Sequence, residues 1–285
     1  MRLISKILLA ALAGIIVLGC LAYLGLMQGW IFPSHSKAEI TALTEPYDTW
    51  VFPDGEGPFP LVIFAHGCGG RTPHHDDWAA VLAKAGFASL ITDSFTGRGL
   101  HSQDGINSVC GGRQLLGPER AADLYVALDR AQSNPKVDPA RIGFLGFSHG
   151  SWTVIELLGT VPPYGIDAPI ERDGKALDLA SIKASALLYP YCGFGAALNG
   201  VTHRAPVLFE LAGEDEITDH TQCLALSQDF AAQGVPLLMH VAPGAWHAYD
   251  VPEWTFAGPN AHYRADLRAT LENRVVAFFR ANLKP

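Results

Sequence analysis

Between Arg141 and Gly150 an apolar run of strand length passes into Gly146-Phe-Ser148-His-Gly150, and then directly into a helical pattern carried by Trp152, Ile155, Leu157 and Leu158. No loop separates the two elements, so the chain must reverse at the serine itself. Such a strand-to-helix turn holds the serine in a cramped backbone conformation with its hydroxyl exposed. The flanking glycines are required because a Cβ at either position would collide with the neighbouring strand or helix. A serine hydroxyl at its ordinary pKa is a poor nucleophile, so a chain built this way also needs a base and an acid to orient that base.

The rest of the chain supplies strands and helices in alternation. Leu61–Ala65, Phe87–Thr92, Ala184–Tyr189, Pro206–Ala212 and Pro236–Val241 are continuous apolar runs, the pattern of strands buried on both faces. Helical patterns fall between them: one through Trp78, Val81 and Leu82, capped by Asp76 or Asp77 and closed by Gly86; one opened by Pro118; one over 221–232; and a last one over 263–283. The segment 38–51 reads as an edge strand or hairpin. Segments 100–117 and 161–183 lack periodicity and are long enough to expect function from them. Alternation of this kind predicts one α/β domain over 37–285, a mostly parallel central sheet with helices on both faces. Sites in such sheets lie at the carboxyl ends of the strands, and His66, Ser148, Asp215 and His247 each follow a predicted strand.

Residues 1–36 form a separate segment. Ile7 to Met27 is uncharged and apolar, preceded by Arg2 and Lys6, and as a helix it reaches about 30 Å, the thickness of a bilayer core. The run exceeds the usual apolar region of a cleaved leader, and the positive flank predicts a cytoplasmic N-terminus with the domain exported. A signal-anchor is therefore expected, with Trp30 and Phe32 as interfacial aromatics. A cleaved signal peptide and a lipid-modified Cys20 in Val17-Leu-Gly-Cys20 are the alternatives. A net charge of −8 and a pI near 5.7 exclude a nucleic-acid partner.

Taken as chemistry, Ser148 is the expected nucleophile. His247 is the expected general base and then acid, since an imidazole with a pKa of about 6.5 serves both roles at neutral pH. The orienting acid lies among Glu214, Asp215, Glu216 and Asp219. Backbone N–H groups of His149 and of either Cys68 or Gly67 would hold an oxyanion. Arg98 is a candidate for binding a substrate carboxylate, or else a structural ion pair. His74-His75-Asp76-Asp77 lacks ligand spacing, so no metal and no cofactor is expected. Four cysteines in an exported domain suggest two disulfides, Cys192–Cys223 and Cys68–Cys110 being the preferred pairing.

The ordered set His66-Gly-Cys-Gly-Gly70, Asp93-Ser-Phe-Thr-Gly-Arg98, Gly146-Phe-Ser-His-Gly150, Gly213-Glu-Asp-Glu-Ile-Thr218 and Gly244-Ala-Trp-His-Ala-Tyr249 resembles the dienelactone hydrolase family of α/β-hydrolases, over roughly Pro60 to Leu283. The resemblance implies an α/β-hydrolase fold and a small-molecule ester or lactone as substrate. It also implies Asp215 as the acid, because Thr218 follows at the family's offset. One departure stands out: the founding members use a cysteine nucleophile where this chain has Ser148. A serine peptidase or amidase on the same triad is the rival activity, and a non-catalytic binding protein on the same fold the rival class.

Overall fold

The computed structural model describes residues 2–27, 32–172, 174–197, 200–252 and 263–283. It divides into two compact units, Met1–Pro33 and Ser34–Pro285. The first is helix α1 (Arg2–Met27), whose segment Ile4–Gly25 is long and apolar enough to cross a membrane. Trp30 lies outside the described residues.

The second unit opens with helix α2 (Lys37–Thr44), where a strand or hairpin was expected. The reason is local. Ser36 and Glu39 form a capping box, with Ser36 N–H donating to Glu39 Oε2 at 2.8 Å and Glu39 N–H to Ser36 Oγ at 3.2 Å. Burial of Ile40 then fixes the helix on the core. Only Thr49–Val51 (β1) remains extended.

The following elements are β2 (Phe59–Ala65), α3 (Pro73–Lys84), β3 (Ala88–Ile91), α4 (Gly117–Ser133), β4 (Val137–Phe147) and α5 (His149–Gly159). Then come β5 (Ile182–Leu188), β6 (Val207–Ala212), α6 (His220–Ala232), β7 (Leu237–Ala242) and α7 (Ala265–Leu283). The seven strands are ordered β1-β3-β2-β4-β5-β6-β7, with β1 antiparallel on one edge and all other pairs parallel. One face of the sheet is covered by α2, α4, α5 and α6. The other is covered by α3 and α7, through Trp78, Leu82, Leu271, Val275 and Phe279. A sheet covered on both sides explains why β2, β5 and β6 read as unbroken apolar runs.

Helix α3 starts one turn earlier than expected. Its N-cap is Thr72, not Asp76 or Asp77. Asp76 pairs with Arg71 and Asp77 with Arg268. The segment 100–117 is not plain loop: Ser102–Asp104 and Gly105–Val109 make short helical turns. The structure joins Cys68 to Cys110, closing a 42-residue separation, and Cys192 to Cys223, closing 31. In the chain-entropy account loops of this size stabilise by about 4 kcal/mol each.

Candidate active site

The central strand β4 ends at Phe147 and α5 begins at His149, leaving one residue for the turn. That residue, Ser148, sits at φ 52° and ψ −115°, a left-handed conformation costly for any side chain. The surroundings over-determine it. Its N–H donates to Leu188 O of β5 at 2.9 Å, and its carbonyl accepts from Ser151 and Trp152 N–H at 2.9 and 3.3 Å. A Cβ on Gly146 would stand 2.5 Å from Ser151 Cα, and one on Gly150 1.9 Å from Ala65 O. The two glycines let α5 fold back against β4 and the end of β2, and this packing aims the hydroxyl past the sheet rim.

His247 follows β7, two strands beyond β5. Its Nε2 lies 2.8 Å from Ser148 Oγ and its Nδ1 lies 2.7 Å from Asp215 Oδ2. Asp215, in the turn after β6, also accepts from Ile217 N–H at 2.9 Å, Thr218 N–H at 2.8 Å and Thr218 Oγ1–H at 2.9 Å. Burial works to raise its pKa, but the hydrogen bond and charge of His247, joined by the Thr218 bonds, outweigh it and hold the carboxyl below its usual value. Asp215 is therefore an anion bonded to Nδ1–H, which leaves Nε2 bare toward the hydroxyl. Of the neighbouring carboxylates, Asp219 caps α6 instead, accepting from Thr221 N–H at 2.9 Å. The ring of Tyr189 stands edge-on to His247 with centroids 5.0 Å apart. Tyr189 itself faces the buried Asp250, whose Oδ2 accepts from Trp78 Nε1–H at 2.8 Å.

The opposite wall is set by residues after β2. His66 is fully buried. Its Nε2 accepts from Ser94 N–H at 3.2 Å, so Nδ1 carries the proton and donates to Gly67 O at 2.7 Å. Burial, reinforced by the charge of Arg120, holds this ring neutral. The turn then presents Cys68, and its disulfide to Cys110 ties that turn to the segment 100–117. As the first residue of α5, His149 has no intrahelical acceptor for its N–H.

Arg120 is a contributor that sequence reading missed. It lies in the first turn of α4, fully buried. It donates from Nη1 to His66 O at 2.7 Å and from Nε to Ser94 Oγ at 2.9 Å. Its Nη1 also lies 3.4 Å from His149 Nδ1. Burial lowers its pKa to about 10, so it remains charged at neutral pH. Arg120 thereby links the end of β2 to the start of α5. The available clue was an arginine on the buried stripe of α4, two residues after Pro118.

Arg98 does not serve the cavity. Its guanidinium donates to both oxygens of Asp123, at 2.8 and 3.0 Å, and to Ser94 O at 2.8 Å. Of its two readings, the geometry matches the structural ion pair. His74 and His75 occupy the start of α3, packed against Phe147 with ring centroids 5.0 and 4.9 Å away. Ser148 opens onto a cavity of 770 Å³ walled by Gly70, His75, Gln103, Ile106, Phe147 and Tyr189, among others.

A parallel sheet whose rim presents a serine on a strand–helix turn, bonded to a histidine and through it to a carboxylate, in the chain order serine, acid, histidine, defines an α/β-hydrolase. Residues 49–283 match the sequence profile of the dienelactone hydrolase family. The chain belongs to that family of hydrolases. It is 24% identical over 246 residues to a protein of Synechocystis sp. named as a carboxymethylenebutenolidase, covering 81% of this chain and 90% of that one. It is also 24% identical over 222 residues to the acylamino-acid-releasing enzyme of Rattus norvegicus, covering 69% of this chain but only 29% of that longer protein. Among solved structures, a dienelactone hydrolase-like promiscuous phosphotriesterase from metagenomic libraries superposes with a TM-score of 0.64 at 21% identity, covering 82% of this chain and 92% of that one.

Proposed function

We propose that Ser148, His247 and Asp215 act as a catalytic triad that cleaves a carboxylic ester or lactone through an acyl-serine intermediate. The single observation carrying this reading is the unbroken chain of short contacts from Ser148 Oγ through the imidazole to the Asp215 carboxylate. Ser148 Oγ attacks the carbonyl carbon while its proton passes to His247 Nε2. The carbonyl oxygen becomes an oxyanion, held by the N–H groups of Cys68 and His149. Collapse expels the alkoxide, which takes the proton from His247. A water then gives a proton to His247 and attacks the acyl carbon, releasing the acid and restoring the serine. No cofactor enters this sequence. A fluorophosphonate probe is expected to add its mass to the peptide containing Ser148 and to abolish turnover of p-nitrophenyl acetate in proportion. Continued turnover by fully labelled protein, or labelling elsewhere, would overturn the assignment.

A second reading, amide cleavage on the same triad, draws support from the likeness to the acylamino-acid-releasing enzyme. With a matched p-nitrophenyl acetate and p-nitroacetanilide pair, the ester is expected to dominate after correction for intrinsic reactivity. Comparable corrected kcat/KM values would favour the amidase.

The segment 1–36 is assigned as a signal-anchor and 37–285 as the catalytic domain, exported from the cytoplasm. Support comes from the apolar helix over Ile4–Gly25 and from two disulfides, which persist in oxidising compartments. Thiol titration of the denatured, unreduced protein is expected to find one reactive group, Cys20. Five reactive thiols would place the domain in a reducing compartment.

A further inference from the structure

The cavity in front of Ser148 is notable for the charges that line it. Among the described residues no lysine or arginine reaches its wall, and Asp77 is the charged side chain that does. The undescribed stretch 253–262, next in sequence to Val251 and Pro252 of the wall, contains neither residue type. The guanidinium groups nearby are already committed. Arg98 is held by Asp123. Arg120 is buried behind the His66 carbonyl. Arg71 pairs with Asp76 and Thr49, and Arg268 is held between Asp77 and Glu272. The two histidines of the wall add no cation at neutral pH. Burial presses His74 down to about 3, and burial together with His74 keeps His75 neutral as well. The start of α3 offers little to an anion either: Pro73 lacks an N–H, and Asp76 already places negative charge on its first turn.

A carboxylate entering this space would lose hydration and find no uncommitted counter-ion among the described residues, because the nearby Arg268 is already held by Asp77 and Glu272. Ile106, Phe147, Tyr189 and Val251 give part of the wall an apolar surface, beside the uncharged Thr72, Ser102 and Gln103. Resting on the triad reading above, we infer that this enzyme selects uncharged esters and discriminates against substrates that carry a carboxylate in the portion occupying the cavity beside Asp77, Gln103 and Ile106. The lack of a lysine or arginine among the described residues of the wall is what sets this preference.

Three substrates of one acyl length test it on the full-length protein: p-nitrophenyl hexanoate, p-nitrophenyl hydrogen adipate and methyl p-nitrophenyl adipate. The last is a neutral near-isostere of the second. After correction for alkaline hydrolysis, kcat/KM for the methyl diester is expected to exceed that for the half-acid by about tenfold or more. Gln103→Arg, at an exposed position on the wall, is expected to narrow that ratio by raising turnover of the half-acid. Equal or preferred hydrolysis of the half-acid by wild type would overturn the inference, as would a ratio that the arginine leaves unmoved. Ser148→Ala run beside these separates the two readings: a reversed preference that still requires Ser148 sinks only the selectivity, whereas turnover independent of Ser148 sinks the triad as well.

Discussion

Ser148→Ala is expected to lower kcat for p-nitrophenyl esters by about 10⁴-fold or more while leaving the fold intact. The two outcomes separate cleanly because the side chain and the backbone of this residue do different jobs. The backbone holds the turn, through Leu188 O and the N–H groups of Ser151 and Trp152. The hydroxyl has His247 Nε2 as its hydrogen-bond partner. Alanine keeps the same Cβ at the same φ of 52°, so it neither adds nor relieves backbone strain. Melting followed by circular dichroism is expected to shift by no more than about 4 °C, the equivalent of 1 kcal/mol in a domain of this size. Near-wild-type turnover by the variant would mean that the hydroxyl is not the attacking group.

Asp215→Asn is expected to cost a similar amount, about 10⁴-fold in kcat, for a different reason. In the wild-type site Oδ1 accepts the Ile217 and Thr218 N–H groups, while Oδ2 receives Nδ1–H of His247 and the Thr218 hydroxyl. An asparagine would keep its carbonyl oxygen on the two backbone donors, because a side-chain NH₂ cannot accept from them. That places the NH₂ against His247 Nδ1, where it donates and forces the ring proton onto Nε2. The imidazole then points a donor at Ser148 and can no longer take its proton. Stability should change far less than activity, since the backbone bonds survive. A variant retaining more than about a tenth of wild-type kcat would show that the tautomer does not depend on this carboxylate.

Several parts of this arrangement were legible without coordinates, and the reason is that each depends on a local pattern. The turn at Ser148 follows from two glycines between an apolar strand and a helix. The strands of the parallel sheet announce themselves as unbroken apolar runs because they are covered on both faces. The rim positions of His66, Asp215 and His247 follow from where those runs stop. The segment 38–51 failed for an equally local reason: Ser36 and Glu39, three residues apart, cap a helix that its short apolar content did not suggest.

Sequence alone determined the fold class, the serine turn and the order of the chemical groups along the chain, because each is written in residues adjacent to one another or in a period of two or 3.6. Tertiary structure decided which loop carboxylate meets His247, where Arg98 places its charge, and that Arg120 is buried against the His66 carbonyl. Those outcomes rest on contacts between residues such as Arg98 and Asp123, or Asp215 and His247, that lie 25 and 32 positions apart. Only packing of the helices onto the sheet brings such pairs within hydrogen-bond distance, and no local pattern encodes that approach.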